Sequence, residues 1–160
     1  MEKQKIKLSL FDNKLTVWIP NTYHEMEQNK IKQIYPYDKK PQIILEDTTI
    51  SRFCTFSLLE NQVLLEKHIE SAINSIEKVV ASLRPTSIIK KSELLKVENR
   101  LCGWFSFETF GEEKICNFVY IFSVSGLMML GTTGCYKKDE IGRGEFLEMI
   151  NTIEIEKRRN

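Results

Sequence analysis

Apolar and polar residues alternate with a period of two along most of this chain, and the period changes to about 3.6 in two places. The densest alternation runs from Arg100 to Tyr136, where aromatic and β-branched runs are separated by Gly111-Glu112-Glu113-Lys114 and by Ser125-Gly126. Those are turn signals, so the stretch predicts three antiparallel strands. Successive side chains of a strand point to opposite faces. In the first strand Leu101, Phe105 and Phe107 share one face, with Cys102, Trp104, Ser106 and Glu108 on the other. In the second both sets are apolar: Ile115, Val119 and Ile121 against Cys116, Phe118, Tyr120, Phe122 and Val124. A strand apolar on both faces must be covered on both. Cys116–Val124 is therefore expected at or near the centre of a sheet with a layer packed on each side. The run is well short of the ~18–20 residues that cross a membrane as a helix.

The flanking segments read less strongly. Ile6–Leu10 and Leu15–Ile19 predict a hairpin around Phe11-Asp12-Asn13-Lys14, ended by Pro20-Asn21. Thr22–Gln28 reads as a loop or a helical turn, and Ile31–Tyr35 as a strand stopped by Pro36. Gln42–Glu46 and Ile50–Leu58 predict strands around Asp47-Thr48-Thr49. They look peripheral, because only the Cys54, Phe56, Leu58 face of the second is strongly apolar. From Asn61, a plausible N-cap, the period becomes helical. Leu65, Ile69, Ala72, Ile73, Ile76, Val80 and Leu83 form one stripe, and Pro85 stops the helix after Arg84. Burying that stripe is worth on the order of 10 kcal/mol before entropy. Ser87–Leu95 and Lys96–Arg100 read as an extended strand or a strand with a bulge. Phe146, Leu147, Ile150 and Ile153 form a second stripe that predicts a helix over Glu145–Ile155, since Gly142 and Gly144 weaken an earlier start.

Together these elements predict an α+β fold, an α/β/α sandwich. A mostly antiparallel sheet carries the C-terminal three-strand meander, with the long helix and the C-terminal helix on opposite faces. Repeats, low-complexity tracts and linkers are not visible, which predicts one domain over residues 1–160.

Composition narrows the function. A formal net charge of +1 argues against a nucleic-acid or membrane-surface binder. The closing Glu156-Lys157-Arg158-Arg159-Asn160 reads as a solvated terminus. No secretory signal or membrane-spanning segment is visible, so the cytoplasm is the expected compartment. The two histidines, His24 and His68, stand in separate segments, and no Cys-x-x-Cys occurs; no metal or cofactor is expected. Cys54, Cys102, Cys116 and Cys135 fall inside predicted strands and read as packed core thiols, with a redox pair or one reactive Cys as the alternative. Gly142-Arg143-Gly144 lacks phosphate-loop spacing, and Glu108, Glu112 and Glu113 read as a solvated turn rather than an acid–base pair. The candidate partner surface is aromatic: Trp18, Tyr23, Tyr35 and Tyr37, near prolines on loops. Capping the open end of the sheet accounts for the same residues.

The order of short motifs adds a resemblance. Trp18-Ile19-Pro20, Tyr35-Pro36, Pro41–Ile44, the long helix, Gly103–Phe107 and Gly126–Cys135 follow one another as in the PsbP-like fold. That group includes the Ran-binding Mog proteins and the bacterial DcrB-type domains, and the chain is most similar to small uncharacterised Gram-positive members. The resemblance implies an α/β/α sandwich with a binding or scaffolding role, since members bind a small GTPase, assist a photosystem or act as chaperones. It transfers no functional residue. The expectation is a non-catalytic module for an unidentified protein partner, probed against two alternatives: a carrier of a small apolar ligand between sheet and helix, and a thiol-dependent redox protein.

Overall fold

The computed structural model describes residues 4–36, 40–109, 115–136 and 142–156. The meander is present as β7 (Arg100–Thr109), β8 (Ile115–Val124) and β9 (Leu127–Tyr136). The turn expected at Gly111–Lys114 lies outside the described residues, but Thr109 pairs with Ile115 across it. At the second turn Ser125 and Gly126 have φ of 53° and 77°. Positive φ at both central residues is what a two-residue hairpin loop needs to match the twist of its strands.

Four further strands and two helices complete the main layers: β3 (His24–Glu25), α1 (Gln28–Ile34), β4 (Ile43–Asp47), β5 (Arg52–Val63), α2 (Ile69–Leu83) and β6 (Ile88–Val97), after the hairpin β1 (Lys5–Leu10) and β2 (Leu15–Pro20). The main sheet has seven strands in the order β3-β4-β5-β9-β8-β7-β6, each pairing antiparallel. β8 is interior and buried on both sides, as its double apolar pattern requires. Val119 and Ile121 join Phe105 and Phe107 under α2, whereas Phe118, Tyr120 and Phe122 face the opposite layer. Gly103 lets α2 lie directly on the sheet: a Cβ there would stand 2.9 Å from Ile73 Cβ.

The opposite layer contains α3 (Gly142–Asn151) and a second sheet of order β1-β2-β10, where β10 is Glu154–Ile155. Leu15, Val17 and Ile19 point inward from β2 and are almost wholly buried against β8 and β9 side chains. The C-terminal helix thus shares its face with the hairpin, and β10 pairs with Leu15 and Thr16 of β2.

Several expectations are corrected. Ile31–Tyr35 is not a strand; it belongs to α1, with Ile31 buried, Ile34 50% exposed and Tyr35 at the C-cap before Pro36. The three-residue spacing of the two isoleucines is helical, and the residue before a proline leaves the helix. Asn61 is not a helix cap but lies in β5, which runs on past an irregularity to pair Val63 with Leu127. The helix starts only at Ile69, after a 3-10 turn over Glu66–His68 whose Glu66 carboxylate accepts from the Leu101 amide. Leu65 and Leu83 fall outside the buried stripe, Leu83 being 75% exposed. β5 is not peripheral, since it joins β4 to β9 with Phe56 fully buried. β6 takes the bulged alternative, with its register shifting between Lys90 and Glu93. α3 begins at Gly142, earlier than expected, and the absence of a side chain there leaves room for Cys135 Sγ, which occupies the place a Cβ at 142 would need.

Candidate binding cleft

A cleft of about 750 Å³ opens where α3, β2 and the β5–β9 pair meet. Its inner wall is aromatic. Phe146 of α3 stacks on Phe118 of β8 at 4.5 Å between centroids and 14° between planes, and its ring lies 5.5 Å from Trp104 and 5.7 Å from Tyr120. Tyr120 owes its seat to Gly131 opposite, where any Cβ would enter the phenol ring. The other walls are Trp18, Ile19 and Pro20 of β2, Tyr23, Met149, and the β9 segment Thr133-Gly134-Cys135.

Charge is confined to the rim and to one buried cation. Lys5 pairs with Glu148 at the exposed edge. Arg52 is buried in the wall and pairs with Glu145 of α3. Arg52 stands opposite Asp47 across β4–β5, and Asp47 accepts hydrogen bonds from Thr22 and Thr49. Burial pushes the Tyr23 phenol well above its usual range, with Cys54 adding to the effect, so Tyr23 stays protonated as a neutral donor. The Thr133 hydroxyl is buried and has no hydrogen-bond partner among the described residues, which leaves a polar atom in the wall unsatisfied.

Trp18 and Tyr23, two of the four aromatic candidates, come together at this cleft. Trp18 projects from the outer face of β2 and is 41% exposed. Tyr35 lies elsewhere, packed with Met26, Ile31 and Ile44 where α1 covers β4. Tyr37 lies outside the described residues. His24 is exposed beside Glu46, and no group of three His, Cys, Asp or Glu side chains among the described residues could hold a metal. The residues that sequence reasoning missed are Arg52, Glu145 and Phe146 as partners in one wall. A signal for Arg52 existed, because it continues the inward Cys54, Phe56, Leu58 face and so puts a charge at the end of an apolar stripe.

The cysteines divide into two kinds. Cys54 and Cys102 are buried singly; burial pushes the Cys54 thiol up to about 12 and the Cys102 thiol higher. Cys116 was expected to share a face with Cys102, and does, but the register sets it opposite Glu108 on β7 and Cys135 on β9.

Solved structures with the same chain path are known. The cyanobacterial PsbP protein CyanoP of Synechocystis superposes with a TM-score of 0.69 at 8% identity, over 98% of this chain and 95% of that one. The Ran-binding protein Mog1p of Saccharomyces cerevisiae gives 0.57 at 8% identity, over 96% of each chain. A Pseudomonas aeruginosa protein of unknown function, PA94, gives 0.51 at 8% identity over 98% and 99%. No family profile matches the chain, and no curated protein is similar to it in sequence. The fold is PsbP-like, as the order of motifs implied. At such identities the likeness carries the chain path alone.

Proposed function

We propose that this chain is a single PsbP-like, non-catalytic interaction module, and that a protein partner docks at the cleft with Trp18 and Tyr23 as its anchors. The observation that carries this reading is an exposed Trp beside a half-buried Tyr at the mouth of an open cleft with an aromatic wall. Large aromatic side chains with a polar tip dominate binding energy at protein interfaces. The solved structure of Mog1p, named as Ran-binding, supports an interaction role for this chain path. The four strand cysteines and the near-neutral charge suit a reducing, cytoplasmic setting. No helix among the described residues is long and apolar enough to cross a membrane.

The test is affinity capture from the source cell with the full chain, Trp18→Ala and the remote Lys78→Ala in parallel. A stoichiometric partner should be retained by the wild type and by Lys78→Ala. Trp18→Ala should weaken it by roughly 30-fold, the equivalent of a ~2 kcal/mol anchor. Recovery of no stoichiometric partner, or equal recovery by all three, refutes the reading. A second reading, a small apolar ligand, is favoured by Phe118, Phe146 and Met149 in the wall. Native mass spectrometry of freshly purified protein decides it, and a clean apo mass excludes it.

A further inference from the structure

We propose that Cys116 and Cys135 form a reversible redox couple at the cleft wall, closing to a cross-strand disulfide with Cys135 as the attacking sulfur. The pair is fixed by the ladder, because Cys116 and Cys135 are directly opposed in the β8–β9 register. Opposed residues in an antiparallel pair have Cα atoms ~4.5 or ~5.5 Å apart, depending on the hydrogen-bonding site. Both distances fall within the ~4.4–6.8 Å that a disulfide spans. β7 and β5 flank the pair of strands, so neither thiol-bearing backbone can move away.

The surroundings polarise the two sulfurs in opposite directions. Cys135 is 7% exposed, lines the cleft, and its sulfur lies against Gly142, the first residue of α3. The unsatisfied amides and positive dipole end of a helix start favour a thiolate. A hydrogen bond from the Cys116 thiol lowers the Cys135 pKa most, burial opposes this, and the Arg52 guanidinium lowers it further. Cys116 shifts upward for the matching reason, with burial and Glu108 adding to the rise and Lys90 opposing it. Cys135 is thus the nucleophile and Cys116 the proton donor and resolving thiol. Cys54 and Cys102 lack this arrangement, since burial raises both and neither faces a second thiol in the register.

The co-reactant is a low-molecular-weight disulfide. The Cys135 thiolate attacks one of its sulfurs, the small S–S bond breaks, and one small thiolate leaves. Cys116 then loses its proton and attacks Cys135 Sγ in the mixed disulfide, expelling the second small thiolate. Across both steps two protein thiols lose two electrons and two protons, and the small disulfide gains them as two thiols. This couple does not depend on the partner proposed above.

The experiment treats the full chain with glutathione disulfide, quenches in acid, alkylates with N-ethylmaleimide and maps the peptides. The expected product links Cys116 to Cys135, with Cys54 and Cys102 alkylated only after unfolding. Cys116→Ser should stop at a glutathione adduct on Cys135, and Cys135→Ser should leave Cys116 unmodified. The pH profile of iodoacetamide labelling adds a reading that mere burial would not move. In the wild type Cys135 should label with a midpoint near its lowered pKa of about 7. In Cys116→Ala the midpoint should rise, because the donor is lost while Arg52, its ion partner Glu145 and neutral Tyr23 remain. An unresolved wild-type adduct, equally fast labelling of Cys54 or Cys102, or four inert cysteines in the folded chain each overturn the proposal. If a variant does not fold, the wild-type peptide map decides alone.

Discussion

Removing the Phe146 ring tests whether α3 is the lid of the second layer. Phe146 is 3% exposed and lies within 6 Å, centroid to centroid, of Phe118, Trp104 and Tyr120. Truncating a buried Phe to Ala costs about 3–5 kcal/mol, the lost transfer energy plus the cavity left behind. The ring contacts favour the upper part of that range, by ~0.5–1.5 kcal/mol per aromatic pair. The neighbouring cleft pulls the other way, because water entering from it relieves part of the void. For a chain of 160 residues, each kcal/mol moves Tm by ~2–4 °C, so Phe146→Ala should lower Tm by about 6–20 °C. Phe146→Leu, which refills most of the volume, should cost about 2 kcal/mol or less. Glu148→Ala on the same helix removes only an exposed ion pair with Lys5 and should cost ~1 kcal/mol at most. Urea melts monitored by circular dichroism give the three values, with an unchanged slope confirming that stability alone has moved. If Phe146→Ala costs no more than Glu148→Ala, α3 is not seated on β8 and the cleft has no inner wall.

Two other perturbations probe the rest of the fold. Gly103→Ala puts a methyl group 2.9 Å from Ile73 Cβ and 3.1 Å from Ile69 Cγ2, so α2 must rise off the sheet. The expected loss in a urea melt is ~1–3 kcal/mol, and a loss under ~0.5 kcal/mol would mean that the helix does not rest on the backbone there. Raising the pH should weaken the protein: Cys54 titrates at about 12 when folded, far above its unfolded value, so the native state holds a proton that the unfolded chain has already released. The Cys54 contribution is then complete below pH ~8.5 and is lost at ~1.4 kcal/mol per unit toward pH 12, with Cys102 and Tyr120 adding to the slope. Flat urea midpoints between pH 8 and 10.5 would refute this.

What was legible in the sequence follows from how local the determining physics is. The meander was readable to the level of faces, because β8 carries an apolar residue at almost every position and its turns are short. The long helix was readable as a type, but its N-cap was misplaced by seven residues, from Asn61 to His68. Asn61 to Val63 stay extended because Val63 finds Leu127 across a bulge, a pairing that no local period announces. α1 was missed because seven residues hold too few turns for a helical period to stand out from an alternating one. The Cys116–Cys135 apposition depends on the β8–β9 register, which Ser125-Gly126 sets from nine positions away. Once a two-residue turn joins Val124 to Leu127, counting outward along both strands brings the two thiols together. The cleft has no such shortcut, since its walls come from both ends of the chain.

The position of the cleft has a physical cause in the mixed composition of the second layer. On the α2 face a single helix covers β6, β7 and β8, and Gly103 lets it settle closely. On the other face two unlike elements share the sheet. A three-stranded sheet covers one part with Leu15, Val17 and Ile19, and α3 covers another with Phe146 and Ile150. A strand pair and a helix cannot interdigitate along their common border as two helices or two sheets do. The two are instead held together at points: the Thr152 hydroxyl accepts from the Trp18 amide at 3.0 Å, and Lys5 pairs with Glu148. The space between those points is the cleft. The same border brings the start of α3 against β9, so the helix end, Arg52 and Cys135 meet at the place where the layer is open. A single covering helix there would have filled the border, and Cys135 would then line no cleft.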